Sequence, residues 1–264
     1  YLNMGTLLLQ NGKAADAIPV LTRAASIDPG HAEPHYRLGQ AYQEAGDTQA
    51  SINAMTTAVQ LSPERGDVHN ALGILLRGQN RPAEALSHFR DAARYAPDSV
   101  GAHSNLGLAL TESGQLDEAI VEHRRAVALA PRSANPHNNL AVALQQAGDV
   151  GQAIVEYGRA LAIQPDSMEA HANLAIALAS VRDFEAAFGH FRETVRLAPA
   201  NPEVRVHFGN ALCEAGRTVE CIEQFEAAVG LFRGLPAGTP GRAEAIRAVE
   251  DALAPIKARA ARRR

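Results

Sequence analysis

Five histidines stand 34 residues apart: His35, His69, His103, His137 and His171. Imidazole titrates near neutral pH and is a common metal ligand, so such a column suggests a metal centre or a pH sensor. The spacing argues against metal. Equivalent positions in stacked helical units lie about 10 Å apart, whereas zinc holds each nitrogen at about 2 Å. The rings are therefore expected to pack as flat, half-apolar side chains, and neither a metal nor a cofactor is expected. His31 sits four residues before His35, but Pro34 intervenes and the pair is weak.

Two residues after the histidines runs a second column: Asn3, Arg37, Ala71, Asn105, Asn139, Asn173 and His207. Asparagine has no intrinsic liking for a helix interior, so three in consecutive units call for a reason. Its amide carries a donor pair and an acceptor, and can bond both the N–H and the C=O of an extended peptide without reading its side chains. The competing expectation is that these amides bridge neighbouring helices. Asn105, Asn139 and Asn173 head the candidate peptide-binding set, joined by Tyr36, Asn70, Arg77, Asn138 and Gln145 on the same side. Gln40, Gln43, Ser104, Gln146, Glu169 and Asn210 extend a surface that is polar and nearly neutral.

Other chemistry is sparse. No phosphate-binding loop, GxSxG elbow, HExxH helix or dinucleotide fingerprint is present, so no catalytic residue is assigned and an enzyme is not expected. Cys213 and Cys221 lie eight apart without CxxC spacing. Cys221 falls in a column of small residues and is expected to be a buried, inert thiol, with Cys213 on the groove side. Lys and Arg number 25 against 29 Asp and Glu, a net charge of −4, which disfavours nucleic acid as a partner. No run of 18 apolar residues exists, so no membrane span is expected. Two cysteines in 264 residues do not make a disulfide framework. With neither disulfides nor an apolar anchor expected, a cytoplasmic location is expected. The chain starts at Tyr1 and reads as a fragment or processed product, any targeting segment being lost.

The elements that must position these residues follow from the same period. Pro29, Pro63, Pro97, Pro131, Pro165 and Pro199 recur every 34 residues. Between them run a large apolar column (Met4, Leu38, Leu72, Leu106, Leu140, Leu174, Phe208) and, next to it, a small one (Gly5, Gly39, Gly73, Gly107, Ala141, Ala175, Gly209). Two further small columns are headed by Ala17 and Ala24. Around Ser113-Gly114, Leu106 and Leu110 on one side and Ala119, Ile120, His123, Ala126 and Val127 on the other keep helical spacing. The mid-unit glycines (Gly12, Gly46, Gly114, Gly148, Gly216) supply the positive φ that ends the first helix. Each proline ends the second helix, because the residue before it is pushed out of the α region. A helical hairpin of this kind cannot bury its apolar face alone and must stack on its neighbours.

This period, with its Leu-Gly, Ala, aromatic, Ala, Pro pattern, resembles the tetratricopeptide repeat (TPR). The resemblance covers residues 1–232 as seven units, the first truncated, and implies an all-α, right-handed α-solenoid of seven hairpins. In that family the histidine slot holds a packing residue. Asn80 and Arg182 replace the mid-unit glycine, and Arg233 replaces the last proline. Residues 233–264 are expected to form a loop, a capping helix and a basic tail. Thr239 and Pro240 would start the helix, Ile246, Val249, Leu253 and Ile256 would be its apolar stripe, and Pro255 its kink. The segments 102–107 and 136–141 are similar to the TPR superhelix of O-linked N-acetylglucosamine transferases. That likeness implies that Asn105, Asn139 and Asn173 hold a substrate backbone. The lysine by which co-chaperone TPRs grip a terminal carboxylate is missing. The expected function is a non-catalytic protein–protein interaction scaffold that binds an extended segment of a partner in its concave groove. The alternative is the substrate-docking region of a larger glycosyltransferase whose catalytic domain lies outside this chain. Self-association through the terminal hairpins is a third expectation.

Overall fold

A computed structural model describes residues 1–262; Arg263 and Arg264 of the basic tail lie outside the described residues. All secondary structure among the described residues is helical. Hairpins are formed by α1 (Leu2–Gln10) with α2 (Ala14–Ile27), α3 (Ala32–Glu44) with α4 (Thr48–Leu61), α5 (Gly66–Gly78) with α6 (Pro82–Tyr95), and α7 (Val100–Glu112) with α8 (Leu116–Leu129). These make a first compact unit, Tyr1–Pro131. A second unit, Arg132–Arg264, holds α9 (Ala134–Gln146) with α10 (Val150–Ile163), α11 (Met168–Ser180) with α12 (Phe184–Leu197), α13 (Pro202–Glu214) with α14 (Thr218–Gly234), and α15 (Arg242–Arg262).

Each helix starts and stops where the sequence dictates. Asp47, Ser99, Asp149, Ser167, Asp183 and Asn201 cap the helices that follow them, each side-chain oxygen accepting a backbone N–H of the first turn. Six second helices end two residues before the periodic proline. In α14, where Arg233 takes that place, the helix runs on to 17 residues instead of 14. The mid-unit turns have positive φ at Gly12, Gly46, Gly114, Gly148 and Gly216, and also at Asn80 (57°) and Arg182 (64°). Geometry, not residue type, is what the turn demands there.

The helices of one hairpin meet knob into hole. A large side chain of the second helix (Leu21, Met55, Phe89, His123, Phe225) lies against the small residue of the first, and a Cβ on Gly73 or Gly107 would come within 2.6 Å of Phe89 or His123. In the other two hairpins Tyr157 and Phe191 fill the same slot and are fully buried. Fixing this contact sets the interhelical distance, and hence which residues of the first helix stay exposed.

The histidine column packs as expected but is also hydrogen-bonded. Nε2 of His69, His103 and His171 lies 2.9 Å from the carbonyl oxygens of Pro63, Pro97 and Pro165. In these three hairpins the two periodic signals are thus one device, in which the imidazole braces the loop that its proline opened; Nε2 of His35 is buried without such a partner. The other ring nitrogen, Nδ1, meets the residue 19 places on: His88, Glu122, Glu156 or His190.

Two expectations fail at the C-terminal end. Cys213 and Cys221 are not thiols: they form a disulfide that ties α13 to α14. The hairpin turn brings their Cα atoms to 5.2 Å, which the eight-residue separation in sequence hides. An argument for a cytoplasmic location from absent disulfides therefore lapses. The last helix starts at Arg242 rather than at Thr239-Pro240, after Gly241 at φ 75°. Arg242 instead donates to the carbonyls of Phe232 and Arg233 and closes the end of α14. The expected apolar stripe does cover α14, with Val249 and Leu253 buried, and Pro255 lies inside a continuous helix. No helix among the described residues is long and apolar enough to cross a membrane.

Candidate peptide-binding face

Within each unit the first helices of successive hairpins touch one another: α1 with α3, α5 with α7, α9 with α11 and α11 with α13. Their shared surface carries the asparagine column. In the first unit Asn105 donates from Nδ2 to Oδ1 of Asn70 at 2.8 Å, from α7 to α5. In the second, Asn173 reaches Oδ1 of Asn138 at 3.5 Å, from α11 to α9, the outer limit of a hydrogen bond. Asn138 is buried and donates to Glu169 Oε1 at 2.9 Å. Bridging between helices, one of the two roles expected for these residues, is therefore present. It does not exhaust them. Asn105 and Asn173 each keep one N–H and their carbonyl oxygen, and half-buried Asn139 has no side-chain hydrogen bond among the described residues.

The remaining candidates divide. Gln145 spends its carbonyl oxygen on the buried Tyr157 hydroxyl, which donates to it at 2.9 Å. Burial, helped by the charge of Glu169, pushes that phenol up. Arg77 on α5 pairs with Glu112 on α7 at 3.8 Å, an exposed contact of little weight. Tyr36 is flanked by Arg37 and Arg65, whose guanidinium carbons lie 5.5 and 4.8 Å from the ring centre. Burial, with the Asp67 charge, raises its phenol as well. Glu33 anchors the same cluster through Arg37 and Arg65. Burial alone would raise its carboxyl, but the two guanidiniums outweigh it and hold the group below its usual range. Tyr36, Asn70, Arg77 and Asn105 share the first unit; Asn138, Asn139, Gln145 and Asn173 share the second.

Family models described as tetratricopeptide repeat match residues 8–75 and 110–175, and residues 70–136. The chain belongs to the tetratricopeptide repeat family. Among solved structures this TPR chain is similar to the C-terminal part of a TPR repeat-containing protein from Cytophaga hutchinsonii, at 13% identity and TM-score 0.68, over 93% of this chain and 99% of that one. It is also similar to YrrB, described as a TPR protein with an unusual peptide-binding site, at 17% identity and TM-score 0.57, over 68% and 93%. A third match, in the APC/C hetero-tetramer Cut9–Hcn1, has 14% identity and TM-score 0.64; it covers 94% of this chain, which spans about half (48%) of that one. At these identities the likeness is one of fold. No curated protein matches the chain significantly.

Two pairings in this TPR chain escape a reading by columns. The asparagine bridges join positions 35 apart, one residue out of the repeat register. The histidine pairings join positions 19 apart, across a hairpin rather than along the column. The signal for the second is visible in retrospect: His88, Glu122, Glu156 and His190 themselves recur every 34 residues.

Proposed function

We propose that this chain is a non-catalytic protein–protein interaction scaffold whose first-helix faces hold an extended segment of a partner protein by its backbone. The observation that carries this reading is the amide capacity left over on the asparagine column. Asn139 is uncommitted, and Asn105 and Asn173 retain a donor and an acceptor each. Within the second unit the successive first helices α9 and α11, which carry Asn139 and Asn173, pack about 10 Å apart, a step that a peptide in the extended polyproline II conformation, with three residues per turn and a rise of about 3.1 Å per residue, covers in one turn. Amides repeated at that step meet the same backbone groups again and again. The peptide-binding site named for YrrB, a neighbour in fold, supports the same reading.

The test uses peptides selected from a random library for binding to the full chain. Replacing Asn105, Asn139 and Asn173 together by Ala is expected to weaken the selected peptides about tenfold or more, about 1.4 kcal/mol upward, with helicity retained. Unchanged affinity in a folded triple variant overturns the proposal.

A further inference from the structure

The third hairpin brings together three metal-ligating groups that the column of histidines, read along the repeats, does not reveal. His69 on α5 is buried, 4% exposed, and its Nδ1 lies 2.9 Å from Nδ1 of His88 and 3.8 Å from Oδ2 of Asp91, both on α6. All three candidate ligand atoms lie within 4.8 Å of one another. We propose that His69, His88 and Asp91 form a binding site for one divalent zinc-type ion.

The surroundings prepare the ligands. Nε2 of His69 faces the Pro63 carbonyl at 2.9 Å, so the proton of a neutral ring sits on Nε2 and the lone pair on Nδ1 points at His88. Metal-bound histidines are held in this way, the distal N–H given to a backbone carbonyl. His88 and Asp91 are one turn apart and half-buried, so an ion can enter from solvent and keep a water in its fourth position. Two nitrogens on a tetrahedral zinc ion, each at about 2.0–2.1 Å, stand about 3.3 Å apart, so the two rings need separate by only a few tenths of an ångström. Binding also requires the His88 proton to move to Nε2, which releases no proton overall. Two imidazoles and one carboxylate suit zinc or its neighbours and not calcium or magnesium.

The other hairpins serve as internal controls. His171 and His190 repeat the 2.9 Å nitrogen contact and the proline carbonyl bond, but the acid one turn on, Glu193, is engaged by the Arg196 guanidinium at 2.6–3.0 Å. In the fourth and fifth hairpins His103 and His137 meet Glu122 and Glu156, and the residue one turn on is Arg125 or Arg159. An arginine there leaves the third ligand missing and an imidazole–carboxylate pair in place of two imidazoles and an acid. Asp91 meets no Lys or Arg among the described residues. Among the described residues, only the third hairpin combines two imidazoles with an unclaimed carboxylate.

The test is titration of the metal-free, untagged full chain at neutral pH with Co²⁺, read by its visible ligand-field absorption, followed by Zn²⁺ displacement and calorimetry. One equivalent per chain is expected, with an absorption intensity typical of tetrahedral cobalt. His88→Gln and Asp91→Asn are each expected to weaken binding at least about tenfold, and His190→Gln to leave it unchanged. Both ligand substitutions are at half-exposed positions, and circular dichroism checks their fold; the nearly isosteric Asp91→Asn stands alone if His88→Gln unfolds. Absence of binding, or binding that survives Asp91→Asn, overturns the proposal.

Discussion

Replacing His123 by Phe is expected to raise stability at every pH and to flatten its decline below neutrality. His123 occupies the knob slot of the fourth hairpin, is fully buried, and its Nδ1 has no hydrogen-bond partner. Its one hydrogen-bond contact among the described residues is with Thr111 Oγ1, 3.5 Å from Nε2, and that hydroxyl already donates to the Gly107 carbonyl. Burial pushes its pKa from 6.5 down to about 4. The sign follows from linkage. The unfolded chain takes up the proton first, so the stability that depends on a neutral ring is complete above pH 6.5 and is lost as pH falls toward about 4. Each pKa unit corresponds to 1.36 kcal/mol, so the loss is about 2 kcal/mol by pH 5 and approaches about 3 kcal/mol. Phe89 and Phe225 fill the equivalent slot against Gly73 and Gly209, so a phenyl ring fits opposite Gly107. Thermal unfolding followed by circular dichroism at about pH 7 and about pH 5 checks this. The variant should lose about 2 kcal/mol less than the parent over that interval, and equal losses would contradict the assignment.

Truncating Phe89 to Ala is expected to cost about 4 kcal/mol, within the range of buried Phe→Ala substitutions. The ring is 0% exposed and lies against Gly73, which has no side chain to move into the void. In a stacked-repeat fold each hairpin is held chiefly by its neighbours. The loss should therefore appear as early melting of the first unit in urea, with the second unit's transition less affected. Val121→Ala, at a 62% exposed position of α8, serves as the control and should change stability by less than about 0.5 kcal/mol. A Phe89→Ala variant that unfolds within 1 kcal/mol of the parent would show that the knob-and-hole contact does not organise the hairpin.

What could be read in the sequence was whatever repeats within one residue's own column. The prolines mark helix ends because the residue before each is sterically denied the α region, a constraint that needs no tertiary context. The glycine column marks the close approach of helices for the same kind of reason, and the Asn80 and Arg182 turns keep their shape without glycine because the hydrogen bonds on either side impose it. What escaped were contacts between columns. The Cys213–Cys221 bond, the asparagine bridges and the 19-residue histidine pairs depend on how two helices are set side by side, a geometry that no single column contains. The same gap explains why the spacing along the solenoid argues against metal while three candidate ligand groups meet inside one hairpin. The start of α15 departs from the local sequence pattern for a local reason. Thr239-Pro240 has the pattern of a helix start, but Gly241 at positive φ turns the chain first and Arg242 is drawn to the carbonyls of α14.

The most direct test of the proposed function is a backbone scan of a peptide selected for binding. Single N-methylation removes one backbone N–H at a time and leaves every side chain in place; alanine substitution does the reverse. Recognition by the asparagine amides predicts losses of about tenfold or more on N-methylation at positions about three residues apart, and only small changes in the alanine scan. Affinity that collapses in the alanine scan and tolerates N-methylation would mean that the partner is read by its side chains, and that the asparagine column serves only to bridge the helices.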